Sequence, residues 1–130
     1  MTKKEITDAI KYWEKTAERD YDTMVGLFKI KRYPESLFFG HIVLEKTLKA
    51  YVVQKTNEQP PYTHDLLRLV KLTEIIPNKE EFELLKTINA FNIRARYPEQ
   101  KLKLYKICTI KYTKDKLEKI TKLYKSLCQN

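Results

Sequence analysis

The chain has 130 residues, 42% hydrophobic and 33% charged, with a formal net charge of +9. That size fits one domain with one core, and that composition excludes a disordered chain. Two glycines and five prolines exclude the usual glycine-rich phosphate loop and favour long helices over a many-stranded sheet.

Thr2 and Glu5 form a T-x-x-E capping box that opens a first helix. Apolar residues then fall at Ile6, Ile10, Trp13, Ala17, Met24 and Leu27, the spacing of one helical face. Asp20 takes the slot between Ala17 and Met24. A carboxylate on a buried stripe needs a partner. Lys46, Lys49 and His64 are candidates, unless Asp20 sits at the stripe's edge and reaches water. The helix should end near Ile30, with Lys31-Arg32-Tyr33 as a short turn.

Pro34 suits the first turn of a second helix, which should run to about Gln54. This helix is apolar on more than one side, through Leu37, Phe38, Phe39, Ile42, Val43, Leu44, Leu48, Tyr51, Val52 and Val53. Such a helix lies in the middle of a bundle or also covers a second chain. Gly40 would let another backbone come close.

Residues 56–62 read as a loop, and Thr63 as the cap of a short helix bearing Leu66, Leu67, Leu69, Val70 and Leu72. Asn78, with Glu81 three residues on, caps a fourth helix that buries Phe82, Leu85, Ile88 and Phe91. Tyr97-Pro98 should stop it near Ala95. Residues 101–104 alternate and β-formers follow, which fits an extended arm or another helical turn; an irregular connection is the expectation for residues 99–112. Thr113 is then expected to cap the last helix, with Leu117, Ile120, Tyr124 and Leu127 inward. The fold class is all-α: a single domain over residues 1–130, an up-and-down bundle of about five helices.

Residues 1–85 carry 14 basic and 14 acidic side chains, whereas residues 86–130 carry 12 basic and 3 acidic, so the whole excess lies in the last third. The asymmetry suggests a surface for phosphates, from nucleotide to nucleic acid; a solvated lysine-rich face is the plain alternative. Ten of the twelve are lysines, and only Arg94 and Arg96 offer planar forks. No segment approaches the roughly 20 apolar residues of a membrane span, and residues 1–12 contain no apolar signal stretch. A cytoplasmic location is expected, with Cys108 and Cys128 reduced, no metal site and no cofactor.

Arg96-Tyr97-Pro98 is the foremost binding candidate: a guanidinium beside an aromatic ring can grip a phosphate and stack on a base, with Arg94 nearby. Arg96 pairing with Asp20 or Glu45, and Tyr97 plugging the core, is the equally weighted structural alternative. His64 can touch a phosphate or base, or lock its helix against the bundle. His41, inside an apolar helix, reads as structural. Asp20, Glu45, Lys46 and Lys49 can form a polar cluster inside the bundle, or expose a lysine such as Lys49 to a nucleotide.

Four stretches in chain order carry a family resemblance: Trp13-x3-Ala17-x2-Asp20; Phe39-Gly40-His41 running through Glu45-Lys46-x2-Lys49-Ala50; Thr63-His64-Asp65-Leu66; and Ala95-Arg96-Tyr97-Pro98-Glu99. Together they resemble the HEPN family, the "higher eukaryotes and prokaryotes nucleotide-binding" domain. The resemblance implies a helical bundle that commonly forms homodimers. It also implies action beside a minimal nucleotidyltransferase, in several cases as a toxin–antitoxin pair. Other members of the family are metal-independent ribonucleases that use an Arg followed, four to six residues on, by a His near the start of the last long helix. Residues 97–130 contain no histidine, so that pattern is not met. The expectation is a non-catalytic protein that binds nucleotide or RNA phosphate. The alternatives are a ribonuclease with an altered site and a protein-interaction scaffold.

Overall fold

The computed structural model describes residues 1–129, which form six helices and no strand. They are α1 (Lys3–Lys29), α2 (Tyr33–Thr56), α3 (Leu66–Lys71), α4 (Lys79–Arg94), α5 (Pro98–Ile107) and α6 (Ile110–Cys128). The all-α bundle read from the sequence is the observed architecture, with one helix more than expected.

The Thr2/Glu5 box forms as read, with both reciprocal hydrogen bonds present at 2.9 and 3.1 Å. At its other end α1 stops in a Schellman turn: Arg32 N–H reaches the Leu27 carbonyl and Lys31 N–H the Phe28 carbonyl. Lys31 takes the left-handed conformation, φ 65°, that this turn requires.

Helix α2 is the axis of the molecule. It buries 13 of its 24 residues, on every side, and touches each of the other five helices. Leu37, Val43, Leu44 and Val53 are fully enclosed, and each such side chain contributes about 1.5–3 kcal/mol through removal from water. Gly40 sits where α6 comes in. A Cβ there would lie 2.7 Å from Ile120 Cδ1. The close neighbour is therefore a side chain of α6 and not, as the sequence suggested, another backbone.

Two caps differ from expectation. Asp65, not Thr63, caps α3, accepting from Leu67 N and Arg68 N. The Thr63 hydroxyl instead accepts from Asp65 N, two residues too early. Thr109, not Thr113, caps α6 through Tyr112 N at 3.1 Å, and Thr113 is wholly buried inside the helix. In each case a second capping residue lay nearby; at α3 the one directly before the buried Leu66 prevailed, and at α6 the earlier threonine did.

Residues 99–112 are not an irregular connection. Pro98 occupies the first turn of α5, with extended Tyr97 before it, so the proline that ends α4 also starts the next helix. Only Leu104 of α5 is buried. Phe82, expected in the core, is 41% exposed; Leu84 takes the inward position beside Leu85, Ile88 and Phe91. On α6, Leu123 joins Leu117, Ile120 and Leu127 inside, while Tyr124 is only half-buried and stacks on Tyr21 of α1 at 4.9 Å.

Candidate functional site: a carboxylate shared by two histidines and a lysine

Three residues of α2, His41, Glu45 and Lys49, cluster with His64 from the chain before α3. Glu45 is the centre. Its Oε2 receives the Lys49 ammonium at 2.9 Å, one helical turn away. Its Oε1 receives His64 Nδ1, also at 2.9 Å. His41 Nδ1 lies 3.7 Å from the same oxygen, beyond hydrogen-bonding reach. Glu45 and Lys49 are both buried, so neither charge is tolerable alone and each holds the other in place. The Lys49 ammonium also stands 5.1 Å from the centroid of the Trp13 ring, a cation–π contact that links α1 to the cluster.

The proton positions follow from the partners. A carboxylate paired with an ammonium only accepts, so His64 Nδ1 carries the proton that reaches Glu45. A carbonyl only accepts, so His41 Nε2 donates to the His64 carbonyl at 2.8 Å. In neutral His41 the Nδ1 lone pair then points toward Glu45 with no hydrogen-bond partner. Burial holds that ring neutral and pushes its pKa below 6.5; nearby Glu45 opposes the shift, and the His64 and Arg96 charges add to it.

The segment bearing His64 is held from two sides. His41 grips its carbonyl, and Asn89 of α4 accepts from Leu66 N at 2.9 Å while donating to Asp65 at 2.8 Å. The His64 side chain is 44% exposed, and its ring meets the Tyr62 ring edge-on at 5.9 Å. Tyr62 itself is 95% exposed.

The polar cluster expected from Asp20, Glu45, Lys46 and Lys49 is therefore two separate pairings. Asp20 meets Lys46 at 2.6 Å, both partly exposed. Lys49, expected as a ligand contact, is buried and committed to Glu45. The two arginines also part company. Arg96 is exposed and donates to Asn92 Oδ1 at 3.1 Å, and its charge is felt by His41. Arg94 is half-buried, with Cys108 and Tyr112 as its electrostatic neighbours. Neither arginine forms an ion pair with a carboxylate among the described residues. Tyr97 is 51% exposed, not a plug in the core.

Sequence reasoning missed Asn89 and Asn92. Their signal was present: two amides three residues apart on a helix whose neighbouring positions, Leu85, Ile88 and Phe91, are buried. Among the described residues no group of three or more His, Cys, Asp or Glu side chains is arranged to hold a metal ion. No helix there is long and apolar enough to cross a membrane.

An all-helical bundle whose middle helix carries an internal His-x3-Glu-x3-Lys cluster, clasping a Thr-His segment, defines the class of protein. The model of the HEPN domain matches residues 10–129, nearly the whole chain, and the protein belongs to the HEPN family. No curated protein and no solved structure matches it significantly.

Proposed function

We infer that this HEPN domain binds the phosphate of a nucleotide or of RNA through Arg96, with His64 and Tyr97 close at hand, and that it does so without cleaving its ligand. The observation that carries this is the state of Arg96. Its guanidinium is exposed and held by one neutral amide, Asn92, so its charge and most of its donors are left for an anion. A structural arginine would instead face a carboxylate. Arg94 and the exposed lysines of α5 and early α6 supply a supporting positive field.

The family resemblance adds the partner. The protein acts as a homodimer beside a minimal nucleotidyltransferase, in a toxin–antitoxin-like module. The test is to co-express it with the product of the adjacent gene and to titrate nucleotides and single-stranded RNA at low salt. Arg96→Ala should weaken binding about tenfold or more, the size of a lost charge-assisted hydrogen bond, and wild-type affinity should fall steeply with salt. No co-purifying partner, together with no binding of ATP, GTP or RNA, removes the proposal.

A second reading has one observation in its favour. The Glu45–His64 hydrogen bond is the arrangement that orients an imidazole for proton transfer. It predicts metal-independent RNA cleavage lost in His64→Ala. RNA that stays intact with the pure protein excludes it.

A further inference from the structure

We propose that the slot between the start of α2 and α5 binds a small aromatic ampholyte, a molecule with one ammonium and one carboxylate on an aromatic body. None of the residues lining the slot belongs to the Glu45 cluster, and the proposal does not depend on phosphate binding at Arg96.

The slot has a volume of about 250 Å³. That is just below the size at which small-molecule sites begin, about 300 Å³, so its occupant is small. Its walls are apolar and aromatic. Phe38 and Phe39 line one side, edge-on to each other with ring centroids 6.3 Å apart. Leu104 and Tyr105 of α5 line the other. Aromatic rings attract one another in edge-on and offset geometry, so a ring is the body that suits these walls. Leu104 is the one buried residue of α5. The α5 wall is therefore held by a single side chain and can adjust its distance from Phe38 and Phe39.

Two opposite charges line the same slot: Glu35 from the first turn of α2 and Lys101 from α5. Glu35 is half-buried, yet no ion pair engages its carboxylate among the described residues. Its charge and that of Arg94 are both felt at Cys108, but the two do not meet as an ion pair. A half-buried carboxylate has given up hydration and recovers the loss only when a cation reaches it. Lys101 is exposed and also lacks a carboxylate partner among the described residues, Glu35 included. A purely cationic ligand is repelled by Lys101, and a purely anionic one by Glu35. A ligand carrying both charges satisfies each.

The experiment titrates the isotope-labelled full chain with two probes and follows its amides by two-dimensional NMR. Free phenylalanine carries both charges on one carbon, and para-(aminomethyl)benzoate carries them across the ring. Phenethylamine and phenylpropionate, and benzylamine and benzoate, are the analogues that lack one charge. Amides at the start of α2 and along α5 should shift with at least one probe, with a dissociation constant of about 1 mM, as suits a ligand of about a dozen heavy atoms. That probe should bind about tenfold more tightly than either of its single-charge analogues, the value of one charge-assisted hydrogen bond. Glu35→Gln should abolish the preference over the analogue without the ammonium, and Lys101→Gln the preference over the one without the carboxylate. Both changes keep the length of a partly or fully exposed side chain, and circular dichroism checks that the helices persist. No shift by about 10 mM, shifts confined to other helices, single-charge analogues that bind as well as the probe, or a preference that survives in both variants overturns the assignment.

Discussion

Glu45 shows how much one side chain can organise. The Glu45–Lys49 pair was legible because it is local: acid and base one turn apart on a helix meet by geometry alone. Its third partner was not, because His64 arrives from nineteen positions further on, across a loop. Asp20 illustrates the same limit. The sequence left Lys46, Lys49, His64 and Arg96 as partners for it, and only the packing of α1 on α2 selects Lys46. His41, read from the sequence as structural, is buried and bonded to the His64 carbonyl, and its burial has a consequence in pH. The folded ring has a pKa below 6.5, chiefly from burial, with the Arg96 and His64 charges adding to the shift and Glu45 opposing it. Below about pH 6.5 the unfolded chain therefore binds a proton that the native protein refuses, so this contribution to stability is complete above that pH and is lost as pH falls, by at most about 1.4 kcal/mol per pH unit. Urea titrations at about pH 7.5 and about pH 5.5 should show the drop, and His41→Gln should flatten it. An unchanged pH slope in the variant would assign the effect elsewhere.

At the level of helices, the sequence revealed most where a signal was self-contained. The capping boxes at Thr2/Glu5 and Asn78/Glu81 close as read, because each needs only residues three apart. Helix α5 was missed because proline serves two opposite roles, ending one helix and beginning another, and because its lone buried residue, Leu104, leaves no periodic face to detect. Helices α2 and α6 come close together at Gly40. Alanine there gains about 1 kcal/mol of helix propensity but pushes on the fully buried Ile120, at a cost of about 1–3 kcal/mol. Gly40→Ala should be destabilising by about 1 kcal/mol. Ile120→Val removes the Cδ1 atom in the way, so the double variant should be more stable than the two single changes added together. Strict additivity in denaturant titrations would show that the two positions do not meet.

Across the whole molecule, the positive charge is less free than the sequence suggested. Lys116, Lys119 and Lys122 of α6 line clefts together with Glu80, Glu81 and Glu83 from the start of α4, and Asp115 pairs with Lys116 and Lys119. Lys101, Lys103, Lys106, Lys111 and Lys114 remain exposed on α5 and early α6, beyond the exposed Arg96. The two thiols report on how this molecule opens. Cys108 is 3% exposed, and burial pushes its pKa up to about 11; Cys128 is exposed. An alkylating reagent at about pH 8 should label Cys128 in the native protein and reach Cys108 only on unfolding, as read by mass spectrometry. Equal labelling of both would mean that α5 and α6 separate independently of the rest.

The chain has one tryptophan, Trp13, and it stands over the Lys49 ammonium. Its indole therefore senses the local field of the group that anchors Glu45, two contacts from His64. The molecule thus carries an intrinsic fluorophore wired to its own polar centre, and occupancy there can be followed by emission colour and intensity in unlabelled protein.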